Sequence, residues 1–314
     1  MQPLVSVVIP VRNRESLIEG SLQSVLSQTY PFLEVVIVDD FSNDNTISKI
    51  RNFNDPRIKL ISLLCQSGAQ KARNIGISHA SGDWIAFHDS DDVWFSDKLE
   101  KQMRILEKFE FSKNIVVHGN CLVYDSRTGS RQAIIVPKTE GKNSHKLLLT
   151  RPSPFFPCML TSKFALMEIG LLDEKVPSYQ EWDTAINLSK KCTFIHLDDI
   201  LFTYVQHNGP TISRSMFKDF LGYQYVIKKY QSEIIELCGI TVFERHLMNQ
   251  LKKFFSYKIY EKDWKNYSCA YSFFDDIATY CSKSHFCLDD VPTLELFKKM
   301  FKNVLLSIMR KLFI

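Results

Sequence analysis

The sequence predicts an α/β protein: a mostly parallel sheet flanked by helices, with a helical C-terminal extension. Three observations carry that expectation. Short β-branched apolar runs alternate four times with stretches of helical period between Val5 and Phe111, the pattern of crossovers on a parallel sheet. The runs are apolar nearly throughout, as strands buried on both faces are. From Met216 onward the chain is helical in character and rich in Lys, Phe and Tyr.

Val5-Ser6-Val7-Val8-Ile9-Pro10 reads as the first strand, closed by proline. Leu17 to Ser27 follows at helical period, with Leu17, Ile18, Leu22, Val25 and Leu26 on one face. Leu33 to Val38 is the second strand and ends in Asp39-Asp40. Asn45 is the expected cap of a short helix from Thr46 to Phe53. Ile58 to Leu64 is the third strand, and Ala69 to Ala80 a helix closed by Ser81-Gly82-Asp83. Trp84 to Phe87 is the fourth strand and runs directly into His88-Asp89-Ser90-Asp91-Asp92. Ser96 is the expected cap of a helix reaching Phe111. Beyond it, Ile115–Tyr124, Ala133–Val136, Thr193–Leu197 and Phe202–Gln206 read as strands, and Lys163–Ile169 and Trp182–Lys191 as helices. No internal repeat or low-complexity segment interrupts this order.

The 314 residues suffice for one large domain or two smaller ones. A hydrophobic content of 45% and a charged content of 24% are those of an ordinary folded protein. The net charge of +4 is small and the basic residues are scattered, which argues against nucleic acid as a partner. None of the 8 cysteines forms a C-x-x-C pair, which argues against a zinc site and for a reducing compartment. There is no signal-peptide pattern and no apolar run near the ~20 residues of a spanning helix. The expectation is therefore a cytoplasmic protein without a transmembrane segment. Near the end, Phe297, Phe301, Val304, Leu305, Ile308 and Leu312 share one helical face, with Lys298, Lys299, Lys302 and Arg310 largely opposite. Such a helix suits either an anionic membrane surface or packing on the rest of the protein.

The acidic run after the fourth strand carries most of the chemical information. Three carboxylates within four residues repel one another, and the strand brings them toward a low-dielectric interior. A divalent cation relieves that cost, and hard oxygen ligands suit Mg²⁺ or Mn²⁺. Mg²⁺ usually takes one or two carboxylates and completes its shell with substrate phosphates. The run thus suggests a metal holding a phosphorylated substrate at strand C-terminal ends, where open α/β sheets bind ligands. The alternative is a solvated turn that caps the next helix. Asp39-Asp40 end on the same sheet edge, so the two clusters are expected to converge.

Five ordered stretches carry a resemblance: VSVVIPVRNR, LQSVLSQTYPFLEVVIVDDFSNDNT, ARNIGISHASGDWIAFHDSDDVWFSDKLEKQ, GLLDEKVPSYQEWDTAINLS and LFTYVQHNGPTIS. Together they make residues 4–214 resemble a family-two glycosyltransferase of the GT-A fold. The resemblance implies a nucleotide-sugar half over residues 1–112, an acceptor half over 113–214 and a helical region over 215–314. It implies a UDP-sugar donor, with Pro10, Arg12, Asp39, Asp40, Arg73 and Asp89 at the nucleotide-sugar. Asp40 would accept from the uracil ring, since an ionised carboxylate only accepts and uracil offers an N–H. The alternative for Asp39 is a turn carboxylate paired with Ser42 or Asn45. Arg73 suits a diphosphate through bidentate bonds, or an ion pair on its helix. Asn74 matches the motif and can equally be structural.

By the same resemblance Asp89-Ser90-Asp91 is the D-x-D motif, with Asp91 the principal ligand of Mn²⁺ or Mg²⁺. Asp89 and His207 are further candidates, and Asp92 is either a third carboxylate or a turn residue. The acceptor base falls on Glu181, where the family more often has Asp, with Asp183 the other candidate. Glu181 could instead stabilise the helix dipole. His88 stands where the family usually has an apolar residue. Trp94 and Trp182 suit core packing better than sugar stacking.

The implied reaction is a metal-dependent, inverting transfer of a hexose, glucose or galactose for preference, from UDP to a saccharide hydroxyl. The implied acceptor is a saccharide on undecaprenyl diphosphate in O-antigen or capsule synthesis, at the cytoplasmic face of the inner membrane. A nucleotidyltransferase would want a Gly-rich phosphate loop after the first strand, and Val11-Arg12-Asn13-Arg14-Glu15 supplies none. No D-x-D-x-T motif follows that strand, which excludes the corresponding phosphatases. The Glu at the base position leaves an inactive, nucleotide-binding scaffold as the other reading.

Overall fold

The structure is a computed structural model that describes residues 2–261 apart from 142 and 210–214. One compact unit runs from Met1 to Tyr257 and a second from Lys258 to Ile314. The basic amphipathic helix expected over Thr293–Ile314 lies outside the described residues, as do Cys269, Cys281 and Cys287.

The first half forms as expected: β1 (Val5–Val11), α1 (Ile18–Leu26), β2 (Leu33–Asp39), α2 (Thr46–Arg51), β3 (Ile58–Ser62), α3 (Ala69–His79) and β4 (Trp84–Phe87). Then come β5 (Val93–Trp94), α4 (Lys98–Lys108), β6 (Ile115–Asp125), β7 (Arg131–Ile134), α5 (Ser144–Leu148), β8 (Leu160–Ser162) and α6 (Lys163–Glu168). The remainder is α7 (Gln180–Ser189), β9 (Thr193–Gln206), α8 (Met216–Lys229), α9 (Gln231–Cys238) and α10 (Ile240–Glu261).

The sheet order is β3-β2-β1-β4-β8-β6-β9-β5, with β7 paired to β6. β1 to β4 are mutually parallel. From β8 onward the sheet is mixed, since β8 runs antiparallel to both β4 and β6 while β6 and β9 are parallel. β1 is buried along its whole length, so its apolar run faces helices on both sides. The compact unit runs past residue 214, where a break is expected from sequence, because α8 packs on α7 and α9 on α5.

Several local expectations are corrected. β9 is one strand, not two, because Asp198 and Asp199 bulge out of the pairing between Leu197 and Ile200. β7 starts earlier than Ala133 and pairs Arg131 with Tyr124. Asn45 occupies the cap position of α2 as expected, but its side chain makes no capping bond; Asp44 Oδ1 accepts from the Thr46 backbone N–H at 3.0 Å. The Asn45 amide instead donates to Glu15 at 3.1 Å. Asp97, not Ser96, occupies the cap position of α4.

β9 positions the site. Trp94 of β5 pairs with Phe202, which draws the residues after the acidic run onto β9. Gly76 lets α3 lie close on β1, since a Cβ there would stand 2.5 Å from Val8 Cγ1. Gly76→Val is therefore expected to lower unfolding free energy by about 1–3 kcal/mol in urea titration.

Candidate active site

The C-terminal ends of β1, β2 and β4 share one edge. Their loops are knitted by bonds from backbone N–H groups. Asp40 N–H donates to Val11 O at 2.8 Å, Asn13 N–H to Ser42 Oγ at 2.9 Å and Arg14 N–H to Thr46 Oγ1 at 2.7 Å. Asp40 is buried and accepts from Ser67 N–H at 2.5 Å and Gly68 N–H at 2.9 Å. It therefore orders the loop entering α3, while each oxygen keeps a further lone pair. Asp39 is the turn carboxylate of the two readings, accepting from Ser42 N–H at 3.1 Å. Pro10 pairs with Val38 in the sheet. Arg12 is exposed at the rim, as is Phe41 at 53%.

The three carboxylates after β4 do different things. Asp89 Oδ1 accepts from Arg73 Nη2 at 2.7 Å. Burial pushes the Asp89 carboxyl up and Arg73 pulls it down, with Asp91 adding to the push. Asp91 Oδ2 accepts from Arg14 Nε at 3.2 Å and from His207 Nε2 at 3.1 Å. Asp92 is buried and accepts from Val205 N–H of β9 at 3.0 Å. Its second oxygen is buried without a partner. Burial, then Asp89 and Asp91, push its carboxyl well above the usual range. Asp92 is thus a turn residue, its N–H closing onto Asp89 O at 3.1 Å, and a strut between the acidic run and β9, not a third open carboxylate.

Arg73 links this run to α7. Its Nη1 donates to Gln180 Oε1 at 3.0 Å and to Gln70 Oε1 at 3.1 Å. Its guanidinium lies 4.5 Å from the centre of the Phe156 ring. Glu181 follows Gln180, and burial pushes its carboxyl up to about 6, against the pull of its own backbone N–H and of Arg73. Asp183 is turned the other way. It is 1% exposed and held by Lys229 Nζ at 2.7 Å and Tyr230 Oη at 2.9 Å. The geometry therefore removes Asp183 as an acceptor base.

His207 reaches the acidic run as expected, but in a particular tautomer. Gly209 N–H donates to Nδ1 at 3.0 Å, so Nε2 carries the hydrogen given to Asp91. A cation would need the Nε2 lone pair, so His207 fits an orienting partner of Asp91 better than a metal ligand. Among the described residues no three His, Cys, Asp or Glu side chains gather as a ready metal centre. The donor set, Asp91 with Asp89 beside it, suits a hard cation that arrives with its own phosphate oxygens.

Other sequence candidates prove structural. Asn74 holds the α6–α7 connection through Leu172, donating to its carbonyl at 2.9 Å and accepting from its N–H at 3.0 Å. His88 is fully buried and meets Ser21 Oγ of α1 at 2.8 Å. Burial drives it down to about 3, so it is a neutral core residue that ties α1 to β4. Trp94 and Trp182 are both buried. Arg14, Gln180, Phe41 and Phe156 were not singled out by sequence reasoning. Arg14, Gln180 and Phe41 had a signal in lying near Arg12, Glu181 and Asp40; Phe156 had none.

The family model described as glycosyl transferase family 2 matches residues 6–170. The chain belongs to that family. WfgD of Escherichia coli, a UDP-Glc:alpha-D-GlcNAc-diphosphoundecaprenol beta-1,3-glucosyltransferase, is 42% identical over 124 residues, which are 38% of this chain and 49% of that protein. TuaG of Bacillus subtilis (strain 168), a putative teichuronic acid biosynthesis glycosyltransferase, is 44% identical over 107 residues, 33% of this chain and 42% of that protein. The chain spans about half the length of the curated relatives it matches. S. aureus TarS 1-349 in complex with UDP-GlcNAc superposes with a TM-score of 0.61 at 21% identity, over 84% of this chain and 76% of that one. That likeness is one of fold, and it agrees with the GT-A architecture expected from sequence. The matched segment includes Asp40, Arg73, Asp89 and Asp91, while α7 with Glu181 lies beyond it.

Arg73 is the cation on which this arrangement rests. Arg73→Met is expected to cost about 3 kcal/mol in urea unfolding, because it leaves partly buried Asp89 without its partner. The same variant should raise the pH at which Glu181 ionises, read by carboxyl ¹³C NMR.

Proposed function

We propose that this protein transfers a hexose, with inversion, from a UDP-sugar to a saccharide hydroxyl. The observation that carries the reading is Glu181, a carboxylate tuned to about 6 at the sheet edge that holds Asp40, Arg73, Asp89 and Asp91. A general base works best when its pKa lies near the working pH. Glu181 takes the proton of the acceptor hydroxyl as its oxygen bonds the anomeric carbon. The bond from that carbon to the diphosphate oxygen breaks, and its electron pair leaves with UDP. A Glu in place of the commoner Asp keeps the carboxylate and lengthens its reach by one methylene.

Asp40 accepts from the uracil N–H, and Phe41 and Arg12 offer flat faces at the rim beside it. Asp91, oriented by His207, would hold Mn²⁺ or Mg²⁺ together with the diphosphate. The cation would supply charge neutralisation to the leaving UDP. Arg14 and Arg73 lie on the same carboxylates and are suited to phosphate oxygens. UDP-glucose is the preferred donor and UDP-galactose the second, given the UDP-Glc specificity in the name of WfgD. That name also supports a GlcNAc-diphosphate-lipid acceptor, and hence surface polysaccharide synthesis of the O-antigen or capsule type. Among the described residues no helix is long and apolar enough to cross a membrane. The lipid-linked acceptor in the name of WfgD supports a reaction at the cytoplasmic face by peripheral contact.

The test is UDP release from UDP-glucose and UDP-galactose with Mn²⁺ and a synthetic GlcNAc-diphosphate-lipid. Release with product formation is expected from wild type and loss from Asp91→Ala. No release with any UDP-sugar, alongside tight UDP binding, would favour the inactive scaffold. The pH dependence follows from Glu181. It must be ionised to accept a proton, so kcat/KM should fall about tenfold per unit below pH 6 and level off above it. Glu181→Gln should lose that limb and about 10²–10⁴ in kcat. Stability moves oppositely. A carboxyl raised from 4.5 to about 6 contributes its stabilisation below 4.5 and loses it as pH rises through 6. Glu181→Gln should therefore be more stable than wild type at pH 8, read by thermal unfolding.

A further inference from the structure

The segment that carries Glu181 is gripped at both ends by one lysine. Lys229, at the end of α8, donates to Asp173 at 2.8 Å and to Asp183 at 2.7 Å. Asp173 precedes Glu181 in the chain and Asp183 follows it. Tyr225 and Tyr230 reinforce the two grips, donating to Asp173 at 2.9 Å and to Asp183 at 2.9 Å. Between them Tyr179 stands in the left-handed region, with φ 60° and ψ 32°. A non-glycine residue there costs about 1–3 kcal/mol and persists only when its surroundings hold it.

Its surroundings are α8 and α10. The Tyr179 hydroxyl donates to Asp219 Oδ1 at 2.6 Å, and Lys253 Nζ donates to Asp219 Oδ2 at 2.7 Å. The Tyr179 ring meets Tyr223 edge-on at 5.4 Å and Trp182 at 5.8 Å. Gly222 lets α8 come this close, since a Cβ there would lie 2.5 Å from the Ser178 carbonyl oxygen. Every grip comes from residues beyond the family match, which ends at 170.

From this geometry we infer that α8 and α10 are a clamp for the acceptor base, and that Lys229, Asp219 and Tyr179 are positioning residues for Glu181. The inference rests on the reading of Glu181 given above. The sharp turn at Tyr179 aims the first turn of α7 so that Gln180 meets Arg73 and Glu181 faces Asp89 and Arg73. Asp183, one turn face away, is the handle by which α8 holds that helix. Among the described residues Lys229, Asp219 and Tyr179 make no hydrogen bond to the Asp40 loop or the acidic run; the segment they hold meets α3 through Gln180 with Arg73 and Leu172 with Asn74.

Three variants and two readouts test this. Tyr179→Phe removes one hydrogen bond and keeps the ring. Lys229→Met with Asp183→Asn removes both ion pairs; the buried carboxylate is neutralised, and Asp173, partly exposed, keeps its bond from Tyr225, so the variant folds if the two pairs are all that is lost. Lys229→Arg is the conservative control. The readouts are amide hydrogen exchange over residues 174–182 and steady-state kinetics with a separate UDP titration. The clamp predicts at least tenfold faster exchange over 174–182 in the first two variants, with β1 and β4 unchanged. It predicts a 10- to 100-fold fall in kcat with UDP affinity and the UDP-sugar KM within twofold of wild type, and near-normal behaviour of Lys229→Arg. Unchanged exchange, or faster exchange with kcat within threefold of wild type, overturns it. UDP affinity falling in step with kcat also overturns it, since the helices would then support the whole fold. If Glu181→Gln proves fully active, the base assignment fails, and exchange over 174–182 still reports whether the clamp exists.

Discussion

One buried guanidinium holds the two halves of the site together. Arg73 projects from α3 in the nucleotide half, bonds Asp89 at the end of β4, and reaches Gln180 at the start of α7. Breaking a buried ion pair leaves an uncompensated charge, so such a contact constrains geometry more than it adds net stability. Arg73 is placed over the Phe156 ring and supplies the positive charge that both Asp89 and Glu181 feel. Burial pushes both carboxyls up, and Arg73 opposes it in each. For Glu181 its own backbone N–H and then Arg73 oppose that push, and the carboxyl settles at about 6. The ionisation of Glu181 thus depends in part on a residue that precedes it by more than a hundred positions.

The acidic run then resolves into a division of labour. Three like charges cannot all stay ionised and unpaired at a buried strand end. Asp92 is pushed well up and braces β9, Asp89 is paired with Arg73, and Asp91 is shared between Arg14 and His207. Asp91 therefore depends on two elements distant in sequence, the loop after β1 and the end of β9. The parallel β6–β9 pairing and the short β5–β9 pairing bring His207 to that place.

What the sequence made legible was local. β1 to β4 and α1 to α4 follow from apolar runs and helical period, because each is long enough to show its own pattern. β5 and β8 have 2 and 3 residues, too few for any period, and exist through partners far along the chain. β9 was divided at Asp198-Asp199 because a bulge breaks alternation without ending a strand. The motifs located Asp40, Arg73, Asp89, Asp91 and Glu181 on one edge. They could not decide between Glu181 and Asp183, which share a helix turn; only the position of Lys229 on α8 does so. His88 had no reading because its partner, Ser21, sits on another element.

Three of the seven non-glycine residues with positive φ among the described residues stand at this edge. Asn13, Phe41 and Tyr179 are non-glycine residues with φ of 50°, 64° and 60°. Each adjoins a candidate site residue: Arg12 and Arg14, Asp40, and the Gln180-Glu181 pair. Left-handed conformations of such residues raise the energy of the folded state, and glycine would relieve it. Neither Phe41 nor Tyr179 is replaceable by glycine without loss of something visible: an exposed flat ring at the rim, or a hydroxyl bonded to Asp219. The chain holds Tyr179 through α8 and α10, and Phe41 through the bonds of its neighbours Asp40 and Ser42 to the loop after β1. Turns that a stability-optimised sequence would give to glycine here carry aromatic side chains, and both stand where the geometry gives those side chains work to do.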